Sequence, residues 1–285
     1  MRARKVTGLV VLALLTLQTA CGGLFAGAGL RAWGASAPRA GGGFNLFSPE
    51  QDIELGEASA EEIRRQVVVL RDERTEHYVQ RLGERIAGVA PGYKFPYKFI
   101  VVDSPEVNAF ALPGGYVFVN EGAIKAARSE GELAGVLAHE IAHVSLRHGT
   151  TQASRAYLAK TGLGILNAIT VALQGDVGRL AGVVGGASAN KFFLKSNREA
   201  EMQADAEGAR LLAAAGYDPR EMVEFFERLY EHGAGREEQE EPGDHPDPGS
   251  RVAAIGGVVA GLNSAPARRH DSEEFRRIKS RLSAD

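Results

Sequence analysis

Apolar side chains recur at helical and then at strand spacing along the first half of the chain. Ser48-Pro49 has the form of a helix start, a serine cap before a proline at the first helical position. Between Thr75 and Val89 the apolar residues lie three and four positions apart, which predicts an amphipathic helix. Short apolar runs bounded by turn residues follow and predict strands. These runs are Phe95–Val102, Val107–Leu112 and Tyr116–Val119, the last two joined by Pro113-Gly114-Gly115.

The apolar pattern then returns to helical spacing. A short helix is predicted over Glu121–Ala127 and a long one from Ser129 to Gly149. Ser129 with Glu132 three residues later forms a capping-box start, and Gly149 has the character of a helix stop. We therefore predict an α+β fold that is mainly helical, with a small antiparallel sheet. Later helices are predicted over Arg198–Ala215, Asp218–His232, Arg251–Leu262 and, on the surface, Ser272–Leu282.

The composition is that of an ordinary globular protein, with 44% hydrophobic and 24% charged residues in a chain of 285. This length allows one large domain or two small ones. The formal net charge of −3 gives no sign of a nucleic-acid surface, so we expect no nucleic-acid partner. Cys21 is the one cysteine, which excludes an internal disulfide. The fold must therefore rest on its core and on any metal it binds.

The N-terminus has the form of a secretory signal. Residues 1–20 combine a basic start with an apolar run from Gly8 to Leu17 that is short for a membrane span. Leu17–Cys21 resembles a bacterial lipobox, in which the cysteine is lipidated, although Gln18 stands where that motif prefers an apolar residue. Cleavage after Ala26-Gly27-Ala28 is the alternative. We favour lipid attachment at Cys21 and expect residues 21–48 to be a flexible tether.

A glycine- and alanine-rich apolar stretch runs from Gly162 to Ala189. Asp176 and Arg179 divide it into two parts, each too short to span a bilayer as a straight helix. We expect packed core helices or a mobile lid here, and a membrane-dipping hairpin is the alternative.

The predicted long helix carries His139-Glu140-Ile141-Ala142-His143. Residues four apart on a helix differ by about 40° around its axis, so both imidazoles project from one face. Such a pair can hold Zn²⁺, while Glu140 reaches the water that the metal activates. A buried helix with polar residues satisfied by neighbours is the alternative, but two histidines and a glutamate are costly to bury without partners.

A catalytic zinc needs a third protein ligand and an open position. Glu201 is the best candidate, and Asp205, on the same helical face, would then hydrogen-bond a ligand histidine. The spacing alone leaves open that both are solvent-facing acids. His148, about 140° round the helix from His143, is expected to face away. The histidines in charged surroundings are expected on the surface: His77, His232 and His270.

Four ordered motifs resemble the gluzincin metallopeptidases that include CAAX prenyl proteases, a mitochondrial inner-membrane protease and bacterial periplasmic quality-control proteases. The likeness covers about Pro49 to Leu262 in a single-domain, lipoprotein-like form. One departure is Asn197, where many members have serine. The motifs are Asn108–Gly115 (NAFALPGG), His139–His143 followed by Arg147-His148, Asn197–Glu201 through Asp205, and His245-Pro246 with Arg251.

The resemblance implies one zinc ion per chain, bound by His139, His143 and Glu201, with Glu140 as general base and acid. It also implies that His245 donates to the oxyanion and that Arg251 positions it or the substrate. A loop around His245 that blocks the zinc at rest is a further hypothesis. In this family an edge strand pairs with extended substrate, which points to Asn108, Ala109, Phe110 and Ala111 as substrate-binding residues.

The sequence thus predicts a zinc endopeptidase domain over residues 49–264 and a charged tail over 265–285. We expect it in the bacterial periplasm, anchored to a membrane by lipid, with the outer membrane favoured. Its expected substrates are misfolded or unassembled envelope proteins. A zinc-stabilised chaperone or adaptor with little proteolysis is the alternative, and an integral-membrane protease using Gly162–Ala189 is another.

Overall fold

The computed structural model describes residues 44–161, 197–233, 255–260 and 269–284. Helices dominate, and three short strands lie between the second and third of them. In chain order the named elements are α1 (Pro49–Gln66), α2 (Glu73–Ala87), β1 (Lys98–Val102), β2 (Ala109–Leu112), β3 (Tyr116–Asn120), α3 (Glu121–Ala126), α4 (Glu130–Ser145), α5 (His148–Thr161), α6 (Arg198–Ala214), α7 (Arg220–Gly233) and α8 (Glu273–Leu282). Residues 255–260 are also helical.

The sheet is mixed, which corrects the expectation of an antiparallel one. Its strand order is β1-β3-β2, with β1 parallel and β2 antiparallel to the central β3. The β2–β3 hairpin forms as predicted, through a 3₁₀ turn at Pro113–Gly115. Gly114 has φ 75°, and a Cβ there would lie 2.5 Å from Ile53 Cα, so the turn packs against α1. The hairpin inserts β3 between the other two strands, which leaves β1 parallel to it.

Both faces of the sheet are buried. Phe99, Val101, Val117 and Val119 face the main core, which they share with α2 and α4. The alternate residues of the same strands face a smaller core under α1. A strand covered on both faces reads as a continuous apolar run, which is the pattern in the sequence.

Helix α4 lies in the main core with almost every residue buried. The Ser129 side chain accepts a hydrogen bond from the Glu132 amide at 3.1 Å, which confirms the predicted N-cap. Helix α6 packs directly on α4 at Gly208, where a Cβ would lie 3.2 Å from His139 Cα. The absence of a side chain at Gly208 therefore sets how closely the two helices approach.

Helix α4 ends at Ser145, earlier than the predicted stop at Gly149. Arg147 adopts the left-handed conformation, φ 57°, and α5 begins at His148. The Arg147 guanidinium donates to both carboxylate oxygens of buried Asp52, Nε to Oδ2 at 2.6 Å and Nη2 to Oδ1 at 3.0 Å. This forked pair holds the turn, because a left-handed non-glycine residue needs compensation from its surroundings.

The residues just before α1 belong to the folded part of the chain, although the sequence placed them in the tether. Asn45 Nδ2 donates to Thr150 Oγ1 at 2.9 Å, and the Leu46 amide donates to Ser154 Oγ at 2.9 Å. Leu46 and Phe47 are buried. Order therefore begins at least three residues before Ser48, along the start of α5.

The charged C-terminal segment also packs into the core. Helix α8 begins after Ser272, which caps it, and buries Phe275, Ile278 and Leu282 in the main core. A surface helix was expected over these residues; α8 exposes its charged face and packs its apolar face into the core. Within the part of the chain that the structure describes, no helix has the length and hydropathy needed to cross a bilayer.

A buried polar cluster joins α8 to the rest of the fold around Glu130, at the start of α4. Tyr217 donates from its hydroxyl to Glu130 Oε1 at 2.6 Å and accepts from Arg85 Nη1 at 2.6 Å. Tyr78 donates to Glu130 Oε2 at 3.1 Å, and the Ser272 hydroxyl donates to the same oxygen. Burial and the neighbouring carboxylate raise the pKa of both tyrosines, so both remain donors at neutral pH.

We predict that Tyr217→Phe lowers the free energy of unfolding by about 1–3 kcal/mol, because it removes one donor from a buried carboxylate. Urea unfolding of the metal-free protein, followed by circular dichroism, measures this change. Tyr93→Phe is the matched control, since Tyr93 is 41% exposed and the substitution should change stability by less than about 0.5 kcal/mol. Equal effects of the two substitutions would contradict a stabilising role for the cluster.

Candidate metal centre

Helices α4 and α6 bring His139, His143 and Glu201 together. Glu201 Oε2 lies 3.3 Å from His139 Nε2, and Glu201 Oε1 lies 3.3 Å from His143 Nε2. The two Nε2 atoms are 3.0 Å apart. One nitrogen or oxygen from each residue lies within 4.8 Å of the others, so the group could hold a metal ion.

The chemistry of this group fits zinc. Two imidazoles and one carboxylate are a donor set of catalytic zinc, which leaves a fourth position open. His139 and Glu201 are 2% and 1% exposed, so their mutually facing lone pairs are shielded from water. A divalent cation between them offsets the cost of burying a carboxylate beside two electron-rich nitrogens.

Asp205 lies one helical turn beyond Glu201. Its Oδ1 is 3.0 Å from His139 Nδ1, and the carboxylate is fully buried. A carboxylate in this position accepts a proton donated by Nδ1, which leaves the lone pair of His139 on Nε2. That nitrogen is the one that faces Glu201.

The start of α6 explains why asparagine serves at position 197. The Asn197 side chain accepts a hydrogen bond from the Ala200 amide at 2.9 Å and caps the helix. Asparagine and serine are about equally good N-caps. The departure from the family pattern therefore preserves the helix start that places Glu201.

Glu140 lies on α4, and the predicted substrate strand lies beside this helix. Glu140 is 3% exposed and occupies the position directly after His139. Strand β2 contains Ala109, Phe110 and Ala111, and Asn108 immediately precedes it. Among the described residues β2 pairs with β3 on one side only, so it is an edge strand, and it contacts α4.

Several predicted features lie outside the described residues. They are Cys21, the signal and most of the tether, the stretch Gly162–Ala189, and the pair His245 and Arg251.

His148 is the residue that sequence reasoning missed. Its Nδ1 lies 3.0 Å from His143 Nδ1, and its Nε2 lies 3.1 Å from Gln203 Oε1. The expectation that it faces away assumed a helix continuing to Gly149, whereas the turn at Arg147 brings the ring back beside His143. Burial and the adjacent His143 lower the pKa of His148 to about 3, so its ring is neutral at pH 7. The one sequence signal for this position was that Arg147-His148 follows the His-Glu-x-x-His segment in the family motif.

A His-Glu-x-x-His helix facing a carboxylate from a neighbouring helix defines a zincin-type metallopeptidase. The family model described as "Peptidase family M48" matches residues 73–259, about two thirds of the chain. The chain belongs to peptidase family M48. Members of this family are zinc-dependent metallopeptidases, in agreement with the group formed by His139, His143 and Glu201.

Two kinds of relative are similar to this chain. One is the beta-barrel assembly-enhancing protease of Escherichia coli (strain K12), 29% identical over 215 residues, which cover 73% of this chain and 44% of that protein. The other is the mitochondrial metalloendopeptidase OMA1 of Schizosaccharomyces pombe, 33% identical over 152 residues, which cover 53% of this chain and 43% of that protein. The matches thus span less than half the length of each relative.

We predict that Glu201→Gln weakens zinc binding at least about 100-fold, because an amide oxygen lacks the charge of a carboxylate ligand. Competition with a chromophoric chelator measures the affinity. Chelation of zinc should also lower the melting temperature of the wild-type protein, since a ligand that binds only the folded state stabilises it.

Glu224→Gln is the control for this substitution. Glu224 is an exposed glutamate on α7, and its substitution should leave the zinc affinity unchanged. Retention of wild-type affinity by Glu201→Gln would exclude Glu201 as a ligand.

Proposed function

We propose that the protein is a zinc-dependent endopeptidase that cleaves misfolded or unassembled proteins of the bacterial cell envelope. The observation that carries this proposal is the convergence of His139, His143 and Glu201 in a buried site beside Glu140. A cation bound by these groups would offset the cost of burying them, and Glu140 would act on the water that this cation activates.

In the proposed reaction His139, His143 and Glu201 hold the metal, and Asp205 orients His139 by accepting its Nδ1 proton. Zinc, when bound, lowers the pKa of a water to about 7 and polarises the substrate carbonyl. Glu140 takes the proton of the attacking water and then delivers it to the leaving amine. His245 would donate to the oxyanion and Arg251 would position His245 or the substrate, as the family resemblance implies.

The edge strand supports a broad substrate range. A peptide that adds to β2 is held through main-chain hydrogen bonds, which every sequence offers when it is extended. Asn108, Ala109, Phe110 and Ala111 would form this contact. Such binding selects unfolded segments over folded ones, because folded proteins rarely present an unpaired strand.

The proposed location is the periplasm. It rests on the signal-like N-terminus and on the similarity to a protein named for beta-barrel assembly. Attachment to the outer membrane through lipid on Cys21 is part of the proposal.

We predict that Glu140→Gln keeps zinc but loses cleavage of casein by a factor of about 10² to 10⁴, the usual contribution of a general acid–base group. Metal analysis measures zinc content, and release of labelled peptides measures cleavage. Glu224→Gln serves again as the surface control and should cleave normally.

Full casein cleavage by Glu140→Gln would contradict the proposed mechanism. Cleavage that is negligible in both forms, together with normal cellular complementation by Glu140→Gln, would instead favour a zinc-stabilised chaperone.

Intact-mass measurement of the mature protein tests the anchoring. We expect a chain that begins at Cys21 and carries a lipid adduct, and Cys21→Ala should release the protein from membranes. A mature chain that begins at Gly29 would show that the ordinary cleavage site is used and that there is no lipid anchor.

A further inference from the structure

A continuous chain of polar side chains runs from α6 to the far side of His143. Gln203 Nε2 donates to Glu199 Oε1 at 3.3 Å. Gln203 Oε1 lies 3.1 Å from His148 Nε2, and His148 Nδ1 lies 3.0 Å from His143 Nδ1. Each contact is within hydrogen-bond distance, so each needs one donor and one acceptor.

The first contact fixes the direction of all the others. An ionised carboxylate can only accept, so Gln203 presents its amide nitrogen to Glu199 and its oxygen to His148. His148 must therefore carry its proton on Nε2, which leaves a lone pair on Nδ1. His143 then donates from Nδ1 to that lone pair, and its own lone pair lies on Nε2, the atom that faces Glu201.

The backbone presents His148 for this contact through the turn at Arg147. In a continuous helix His148 would lie about 140° around the axis from His143. The left-handed Arg147, held by Asp52, ends α4 and places His148 at the first position of α5. The two rings then meet edge to face, with centroids 4.9 Å apart.

From this geometry we infer that His148 is a positioning residue that fixes the tautomer and ring orientation of His143 for zinc, with Gln203 and Glu199 fixing its own. The inference rests on the proposed role of His143 as a zinc ligand. Side chains of α6 then orient both His139 and His143 of α4. Asp205 orients His139 directly, whereas Gln203 orients His143 through a neutral imidazole.

The absence of charge on the His148 ring also has an electrostatic consequence. The carboxyl groups of Glu201, Asp205 and the proposed base Glu140 already lie at or next to the metal ligands. A carboxylate in the place of His148 would add a negative charge and reduce the Lewis acidity of the metal. Orientation by an uncharged ring avoids this addition.

The tautomer can be measured directly in the zinc-loaded wild-type protein. Nuclear magnetic resonance of protein labelled with ¹⁵N-histidine distinguishes a protonated ring nitrogen from an unprotonated one. We expect His148 to carry its proton on Nε2. A proton on Nδ1 would overturn the inference, because His148 could not then accept from His143.

Substitutions at position 148 test how much His148 contributes to zinc affinity. His148→Phe keeps a ring without an acceptor and should weaken zinc binding by about 10- to 100-fold, the usual effect of losing a group that orients a metal ligand. His148→Asn offers a side-chain oxygen close to the position of Nδ1 and should restore most of the affinity. Equal affinity for His148→Phe and wild type, or failure of His148→Asn to rescue, would overturn the inference.

Gln203 provides a second route that does not alter either histidine. Gln203→Met removes the acceptor at a half-buried position and should weaken zinc binding and mix the two tautomers of His148. Met202→Leu is the matched control, because Met202 is the exposed neighbour on α6 and should have no effect. If His148→Phe does not fold, the inference is tested by the tautomer of His148 in the wild-type protein and by the zinc affinity of Gln203→Met.

These readouts separate the inference from the proposed function. A wild-type protein that binds no zinc would refute both. A protein that binds zinc with His148 in the other tautomer would refute the inference alone. Loss of casein cleavage in Glu140→Gln bears only on the proposed function.

Discussion

The close packing of α4 against α6 is the contact on which the rest of the site depends. Gly208 allows the backbone of α6 to approach His139, and a Cβ there would lie 3.2 Å from His139 Cα. At this separation Glu201 and Asp205 reach opposite nitrogens of the same imidazole. A wider spacing would separate Glu201 and Asp205 from the imidazoles of α4 and remove contacts that offset the cost of burying these groups.

The sheet and the buried cluster around Glu130 support this helix pair in different ways. The sheet is covered on both faces, and β2 lies against α4. The buried cluster around Glu130 fixes the start of α4 to α2 and α8, far from the reacting groups. Contacts at both ends of α4 thus support the helix that carries the candidate metal site, and a zinc site depends on such preorganisation.

The sequence predicted the features that depend on local spacing. The caps at Ser48 and Ser129 and the shared helical faces of His139 with His143 and of Glu201 with Asp205 all follow from periodicity and residue type. Features that depend on distant residues were missed. The end of α4 is set by Asp52, which lies 95 residues before Arg147, and strand order is not encoded in alternation. In α8 the three core residues are separated by charged residues, so the composition of this segment predicted a charged tail.

The contacts of residues 45–47 bear on how this enzyme should be shortened for biochemical work. The Phe47 carbonyl accepts from Arg147, while Asn45 and Leu46 hydrogen-bond side chains near the start of α5. A chain trimmed to the first helix would lose all three attachments and loosen the turn that presents His148. Low activity in such a truncated protein would then reflect disturbance of the candidate metal site and not only the removal of the N-terminal segment.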